Sequence, residues 1–172
     1  GGGCITPGRL LGASRLKFVD AGGFVSRWSC HDVDPKGIIP CTSIIYGGGD
    51  HLPQALPLGE RYDFGFVGRL LPHKGLHVAI QALPDGASLV AAGQVRDPIY
   101  AQHLRALAGG KRVTFLEDVS DEVVASIHRS IKFLLVPSVE AYGERQFARP
   151  ELLGLVALEA LAAGTPVIGS NV

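Results

Sequence analysis

The sequence predicts an α/β fold built on an open parallel sheet, and three observations predict it. Beyond about residue 60, short runs almost free of polar residues alternate with stretches whose apolar residues recur at helical spacing. Unbroken apolar runs suit strands buried on both faces, as in a parallel sheet covered by helices. The strict alternation argues for right-handed strand-helix-strand crossovers. Residues that favour helix ends also stand where the alternation needs them.

The elements follow in chain order. "FGFVG" (64–68) reads as a strand and "KGLHVAIQAL" (74–83) as its helix; "SLVAAG" (88–93) and "IYAQHLRALA" (99–108) repeat the unit. "RVTFL" (112–116) leads to "DEVVASIHRS" (121–130), where Ser120 precedes the helix and Asp121 and Glu122 favour the dipole of its first turn. "KFLLV" (132–136), "LGLVALEALAA" (153–163) and "PVIGS" (166–170) complete the series, with Gly164 closing the last helix.

Residues 1–60 read differently. "RLKFVDAGGFVS" (15–26) suits one strand, "RWSCHDVDPKGI" (27–38) a short helix or loop, and "TSIIYGGGD" (42–50) a strand running into a Gly triplet. "HLPQALPLGE" (51–60) has the prolines of a crossing segment. The boundary is placed near residue 55, with 1–55 the tail of a preceding domain plus hinge and 56–172 a ligand-binding domain truncated at its C-terminus. The chain has no Met and opens Gly1-Gly2-Gly3. It is therefore expected to be a piece of a longer protein, for which a missing signal peptide is uninformative.

Composition narrows the function classes. With 172 residues, 47% of them hydrophobic, and zero formal charge, the chain can bury a core of about one to one and a half domains. It has no polybasic run and no interleaving of basic with aromatic residues, which argues against nucleic acid as a partner. Cys4, Cys30 and Cys41 show no C-x-x-C or Cys/His spacing suited to zinc. Their odd number favours reduced thiols in a cytoplasmic protein.

"PELLGLVALEALAAGTPVIG" (150–169) is almost wholly apolar yet carries Glu151 and Glu159. A membrane span is excluded, because Glu159 near its middle would cost about 2.5–3.5 kcal/mol and Thr165-Pro166 cuts the run short. A buried helix packing through Leu155, Leu158 and Ala162 would leave Glu159 on the rim. A helix whose end faces a ligand would employ both carboxylates. Eight residues of helix rise about 12 Å, a spacing that grips two ends of an elongated molecule. A nucleoside diphosphate sugar has that shape, with hydroxyls at both ends for carboxylates and a diphosphate between.

In an open α/β sheet, ligands bind beyond the carboxyl ends of the strands. The first such loop, "GRLLPHKG" (68–75), carries Arg69 and Lys74 just ahead of a helix. A guanidinium fork, an ammonium and helix amides suit a diphosphate. The plainer reading is two cations that solvate a loop. His73 between them suits the surface better than a ligand contact.

Together, "FVGRLLPHKGLHVAIQAL", "LVPS" and "PELLGLVALEALAAGTPVIGS" resemble the nucleotide-sugar-binding domain of the group 1 (family four) retaining glycosyltransferases of GT-B fold. Their signature is a G-R-x-x-x-x-K-G loop and an E-x7-E element followed by E-A-x-A-x-G-x-P-V-I. "IIYGGGD" resembles the family hinge, I-x-N-G-x-D, with Gly48 in place of its Asn. The resemblance covers roughly residues 60–172. It implies a Rossmann-like open parallel sheet forming the C-terminal half of a GT-B enzyme, with a role in polysaccharide biosynthesis. The implied reaction moves a sugar from a nucleotide diphosphate donor to an acceptor hydroxyl with retention of configuration.

The resemblance also implies roles for residues. Gly68, Arg69 and Lys74 would meet the donor diphosphate, with backbone at Leu153, Gly154 and Leu155. Glu151 would hold the donor sugar and Glu159 the ribose; Val119, Pro137 and Ser138 would line the base pocket. Arg69, Lys74 and Glu151 carry the catalytic share, with no metal or cofactor expected. A sugar or lipid-linked acceptor would be bound by the missing domain, so the fragment alone is expected to be inactive. The full protein is expected in the cytoplasm, with room for peripheral association at the membrane surface.

Two decoys and three rivals are weighed against this reading. "PSVEAYG" (137–143) offers Glu140 as the first glutamate, but eight residues on stands Ala148. Residues 139–150 are then an insertion, whose Tyr142, Arg145 and Arg149 are read as a solvated loop by default, with contact to donor or acceptor as the alternative. "DVD" (32–34) imitates a metal-binding D-x-D, yet Asp32 and Asp34 precede Pro35, where capping and turn roles are ordinary. A nucleotide-sugar epimerase of GT-B architecture and a non-catalytic α/β nucleotide-binding module remain as alternatives. A dinucleotide oxidoreductase would want G-x-G-x-x-G after the first strand, which "GFVGRL" does not supply.

Overall fold

A computed structural model of the chain describes residues 20–24, 30–31, 33–44, 52–147 and 154–171. The chain divides into two compact units, Gly1–Gly47 and Gly48–Val172; the sequence reading sets its boundary near residue 55. The Gly triplet and Asp32 lie outside the described residues.

In the first unit, β1 (Ala21–Phe24) and β2 (Cys41–Ile44) pair in parallel. Between them the buried Asp34 carboxylate accepts the amides of Ile38 and Ile39, each at 2.8 Å. Both oxygens are thereby engaged by backbone, the turn-closing role that an Asp before Pro ordinarily takes.

The second unit alternates strand and helix as the apolar pattern requires. Its elements are β3 (Tyr62–Val67), α1 (Leu76–Ala82), β4 (Ser88–Ala92), α2 (Pro98–Leu107), β5 (Arg112–Leu116) and α3 (Asp121–His128). They continue with β6 (Ile131–Val136), the two-residue strands β7 (Ala141–Tyr142) and β8 (Arg145–Gln146), α4 (Leu155–Ala162) and β9 (Val167–Gly169). Five strands form one parallel sheet in the order β5-β4-β3-β6-β9.

Every residue of β4 is buried, and its alternation feeds two cores. Leu89 and Ala91 join Phe66, the α1 residues Leu76 and Ile80, and the α2 residues Tyr100 and Leu104. Val90 and Ala92 face the opposite way, against Ile127 of α3, Leu134 of β6 and Ala160 of α4. Successive side chains of a strand point to opposite faces, so an unbroken apolar run serves helices on both sides. Each fully buried aliphatic side chain contributes about 1.5–3 kcal/mol.

Helix ends are secured by several means. Asp97 accepts the Tyr100 amide at 3.0 Å to start α2, with Pro98 in the first position, where its missing N–H is harmless. Lys111 closes α1 from a distance, its Nζ donating to the carbonyls of Ile80, Gln81 and Leu83. Ser120 occupies the start of α3 without bonding a helix amide. The Ser120 hydroxyl, and after it a helix amide, hold the Glu122 carboxyl below its usual value. Gly164, at φ 82, ends α4.

Near the amino ends of the strands, Asp63 of β3 ties its two neighbours. Its carboxylate accepts from Lys132 Nζ of β6 at 2.7 Å and from the Ser88 amide of β4 at 2.9 Å. The Lys132 hydrogen bond, then those from Ser88, hold the Asp63 carboxyl well below the usual carboxylate range. A depressed carboxyl adds stability that is present above its unfolded value, about 3.9, and is lost as pH falls toward its folded value. Lys132→Met returns Asp63 toward the ordinary range. The variant should melt lower than the parent at about pH 7, and the gap should narrow by about pH 2. A gap of constant size across that interval would show that Asp63 is not the group concerned.

Candidate functional site

The strand order fixes where a ligand can enter. From β3 the chain passes to β4 and β5 on one side and then returns to β6 on the other side of β3. The chain leaving β3 and the chain leaving β6 therefore lead to helices on opposite faces of the sheet, and the carboxyl ends of these two strands are the switch point at which α/β sheets bind ligands.

The loop after β3 is tacked down on both sides. Gly68 donates its amide to Ala92 at 2.9 Å, Leu70 donates to Gln94 at 2.9 Å, and the Leu70 side chain is buried. Arg69 stands between these anchors with its side chain exposed. Pro72–Lys74 form one 3-10 turn, ended by Gly75 at φ 70. Gly75 lies hard against the loop after β6, where an added Cβ would come 1.8 Å from the Pro137 carbonyl oxygen. The Val139 amide donates to the His73 carbonyl at 2.9 Å. Lys74 is thus brought beside Pro137 and the buried Ser138, whose carbonyl accepts the Ser170 hydroxyl at 2.6 Å.

The other sequence-predicted residues divide into three groups. Val119 follows β5 and packs its side chain into the α3/α4 core, leaving its backbone at the sheet edge. Asp118 before it holds φ 51, the one positive value of a non-glycine among the described residues; sequence reading misses it, and Asp is among the residues that tolerate that region. Gly154, at φ 65 and ψ 37, starts α4 with no side-chain cap, and Leu155 after it is exposed. Glu151, Leu153 and Arg149 lie outside the described residues; α4 starts only at Leu155, so the helical rise expected to separate Glu151 from Glu159 does not apply over that interval.

Glu159 is neither at a free rim nor openly displayed. Its side chain keeps 13% of its surface, and Oε2 lies 3.7 Å from Nε2 of His128, which is wholly buried. That separation is too long for a formed hydrogen bond, and the contact is an ion pair only when the imidazole is protonated. Burial pushes the His128 imidazole below its ordinary value, and the Glu159 charge opposes the shift. His128 also escapes sequence reading, because one of the four polar residues in "ASIHRS" is indistinguishable from a helix's solvent face.

The insertion needs correction. Read as a solvated loop, its described part is instead a hairpin, β7 against β8, turning at Gly143 with φ 59. Tyr142 is half-buried edge-on to His77 at 4.9 Å and Tyr100 at 5.4 Å between ring centroids, and Phe147 lies 5.5 Å from His73. Aromatic rings that bury this much area anchor a short hairpin that could not stand alone. The segment is thereby fixed to α1, α2 and the cationic loop. Arg145 matches the solvated expectation, its side chain 71% exposed and 3.9 Å from Asp97, and Glu140, Glu144 and Gln146 beside it are exposed as well. Gly143 is the one turn signal in "AYGERQ", too little to reveal strands of two residues each. Within the cluster, burial pushes Tyr100 up to about 12, so its hydroxyl stays protonated opposite His77 Nδ1 at 2.8 Å.

Among the described residues, no helix is long and apolar enough to cross a membrane. Residues 50–172 match the family model for glycosyl transferases group 1. D-inositol 3-phosphate glycosyltransferase of Mycobacterium sp. (strain KMS) is 32% identical over 163 residues, covering 84% of this chain and 34% of the relative. Glycogen synthase of Mycobacterium tuberculosis (strain H37Rv) is 35% identical over 117 residues, covering 62% of the chain and 25% of the relative. The chain therefore spans about a third or less of the length of these curated relatives. Among solved structures, sucrose-phosphate synthase from Thermosynechococcus elongatus superposes with a TM-score of 0.68 at 24% identity, covering 93% of this chain and 43% of that one. A glycosyltransferase involved in avilamycin A biosynthesis gives 0.60 at 25% identity, covering 86% and 44%.

Proposed function

The chain belongs to the group 1 glycosyltransferases, and from that premise we propose that its second unit binds the nucleotide-sugar donor of a retaining sugar transfer to an acceptor hydroxyl. The observation that carries this reading is the meeting of the Arg69–Lys74 loop with the Pro137–Ser138 loop at the switch point. A loop carrying two cations beside a strand-end loop is the kind of place a diphosphate would be held.

Arg69 and Lys74 hold the diphosphate, joined by the backbone of Gly68 and of Leu153, Gly154 and Leu155. They act most strongly as the sugar–phosphate bond breaks, because positive charge aimed at a departing anion is worth most where negative charge develops. Glu151 accepts hydrogen bonds from the donor sugar and Glu159 from the ribose. Backbone at Val119, with Pro137 and Ser138, borders the base. No metal or cofactor is required, since the cations are side chains. The acceptor is bound outside this unit, so turnover needs the rest of the protein. The names of the curated relatives support sugar or polyol hydroxyls as the acceptor class.

The test is release of nucleoside diphosphate by the full-length protein from a panel of UDP-, GDP- and ADP-sugars in the presence of chelator. Slow hydrolysis of the donors of one nucleotide series is expected. Release that appears only after magnesium or manganese is added, or from no donor at all, would contradict the assignment.

A further inference from the structure

His128 ends α3 with its side chain wholly buried, and neither ring nitrogen has a hydrogen-bond partner among the described residues. Buried polar atoms are almost always partnered, and each exception asks for an explanation. Around the α3 end the core is apolar, with Ile127, Ile131 and Ala160 fully or nearly fully enclosed. Facing this ring is the Glu159 carboxylate, whose Oε2 stands 3.7 Å from Nε2.

The backbone holds the two side chains in register. Thr165, just beyond α4, donates its hydroxyl to the His128 carbonyl and its amide to the carbonyl of Ala160 at 2.8 Å. The end of α3 and the second half of α4 are thus one frame. A side-chain adjustment of less than about 1 Å would turn the 3.7 Å contact into a hydrogen bond of ordinary length.

We propose that His128 is a positioning residue for Glu159, its Nε2–H donating to Oε2 while the nucleotide's ribose hydroxyls engage the carboxylate. The proposal rests on the reading of Glu159 as the ribose ligand. A carboxylate has two oxygens and about four lone-pair sites, so one oxygen can be held from the protein side while the group still accepts hydroxyl protons. A site residue reads its ligand accurately only when its own rotamer is locked by its surroundings. The ring does this as a neutral donor, consistent with burial pushing it below its ordinary value. A neutral donor also avoids the desolvation of a second full charge.

The test is calorimetry on the full-length protein with ADP, GDP and UDP, the tightest of which is compared with its 2′,3′-dideoxy counterpart and with inorganic pyrophosphate. The affinity ratio of the diphosphate to its dideoxy form isolates the ribose hydroxyls. Glu159→Gln is expected to collapse that ratio, which checks the ribose reading itself. His128→Asn removes the donor from the Nε2 place and is expected to lower the ratio by roughly 3- to 10-fold, the worth of one hydrogen bond, with pyrophosphate binding unchanged. His128→Gln, whose amide reaches that place, is expected to restore most of it. Should His128→Asn fail to fold, the nitrogen resonances of the His128 ring in the unaltered protein decide the matter: Nε2 should shift with the diphosphate and not with its dideoxy form, and an equal shift with both would overturn the proposal. If Glu159→Gln collapses the ratio while both His128 variants preserve it, the positioning role is overturned and the ribose reading stands. A ratio indifferent to Glu159→Gln removes the ribose reading and the proposal together. Equal losses on all three ligands would mark His128 as merely structural and overturn the proposal.

Discussion

Arg69→Ala is expected to weaken binding of a nucleoside diphosphate by roughly 10- to 150-fold. A charge-assisted hydrogen bond is worth about 1.5–3 kcal/mol, at about 1.4 kcal/mol per decade of affinity. The side chain belongs to a loop held by Gly68 and Leu70 on either side, so its loss should leave the fold unchanged. Arg69→Lys should recover only part of the affinity, because an ammonium cannot reproduce the two-pronged guanidinium geometry. Titration of the full-length protein with the preferred diphosphate, beside the two melting curves, checks this. Unchanged affinity in Arg69→Ala would move the phosphate site elsewhere.

Gly75→Ala should be among the most damaging small substitutions in the second unit. Gly75 sits at φ 70, and a methyl group there would lie 1.8 Å from the Pro137 oxygen and 2.7 Å from its carbon. Left-handed strain contributes about 1–2 kcal/mol and displacement of backbone a further 1–3 kcal/mol or so, for a total of about 2–5 kcal/mol. For a protein of this size that is a fall in melting temperature of roughly 5–15 °C. Gly110 supplies the control, since at φ 80 it has nothing within 4 Å of the added carbon. Gly110→Ala should show the strain alone. Gly75→Ala should also lose nucleotide affinity, because Lys74 moves with the loop. Equal melting losses for the two variants would show that the contact with Pro137 has no weight of its own.

Most of the second unit can be read from residue order, and the exceptions have physical causes. Apolar patterning starts the first strand of the sheet at 64 because Asp63 interrupts the run, yet the strand begins at Tyr62; Asp63 is tolerated there because Lys132 and Ser88 partner it. Alternation implies parallel crossovers, but periodicity carries nothing about which side of β3 the strand β6 takes. The switch point therefore has to come from the structure. The hairpin at 141–146 is hidden because its two-residue strands are too short to show a period, and Tyr142 draws its stability from His77 and Tyr100, far away in sequence. The Arg69–Lys74 loop is legible because its charges and glycines are contiguous. His128 is not, because its significance lies in Glu159 on another helix.

The proposed site assigns the sugar end of the donor to Glu151 and the ribose end to Glu159. Calorimetry of the full-length protein with a nucleoside diphosphate and with its sugar-bearing form tests this most directly. Glu159→Ala should weaken both ligands, by an amount on the order of the 1.5–3 kcal/mol of a hydrogen bond to a charged group. Glu151→Ala should weaken only the sugar-bearing form. Equal losses from both variants on both ligands would contradict the claim.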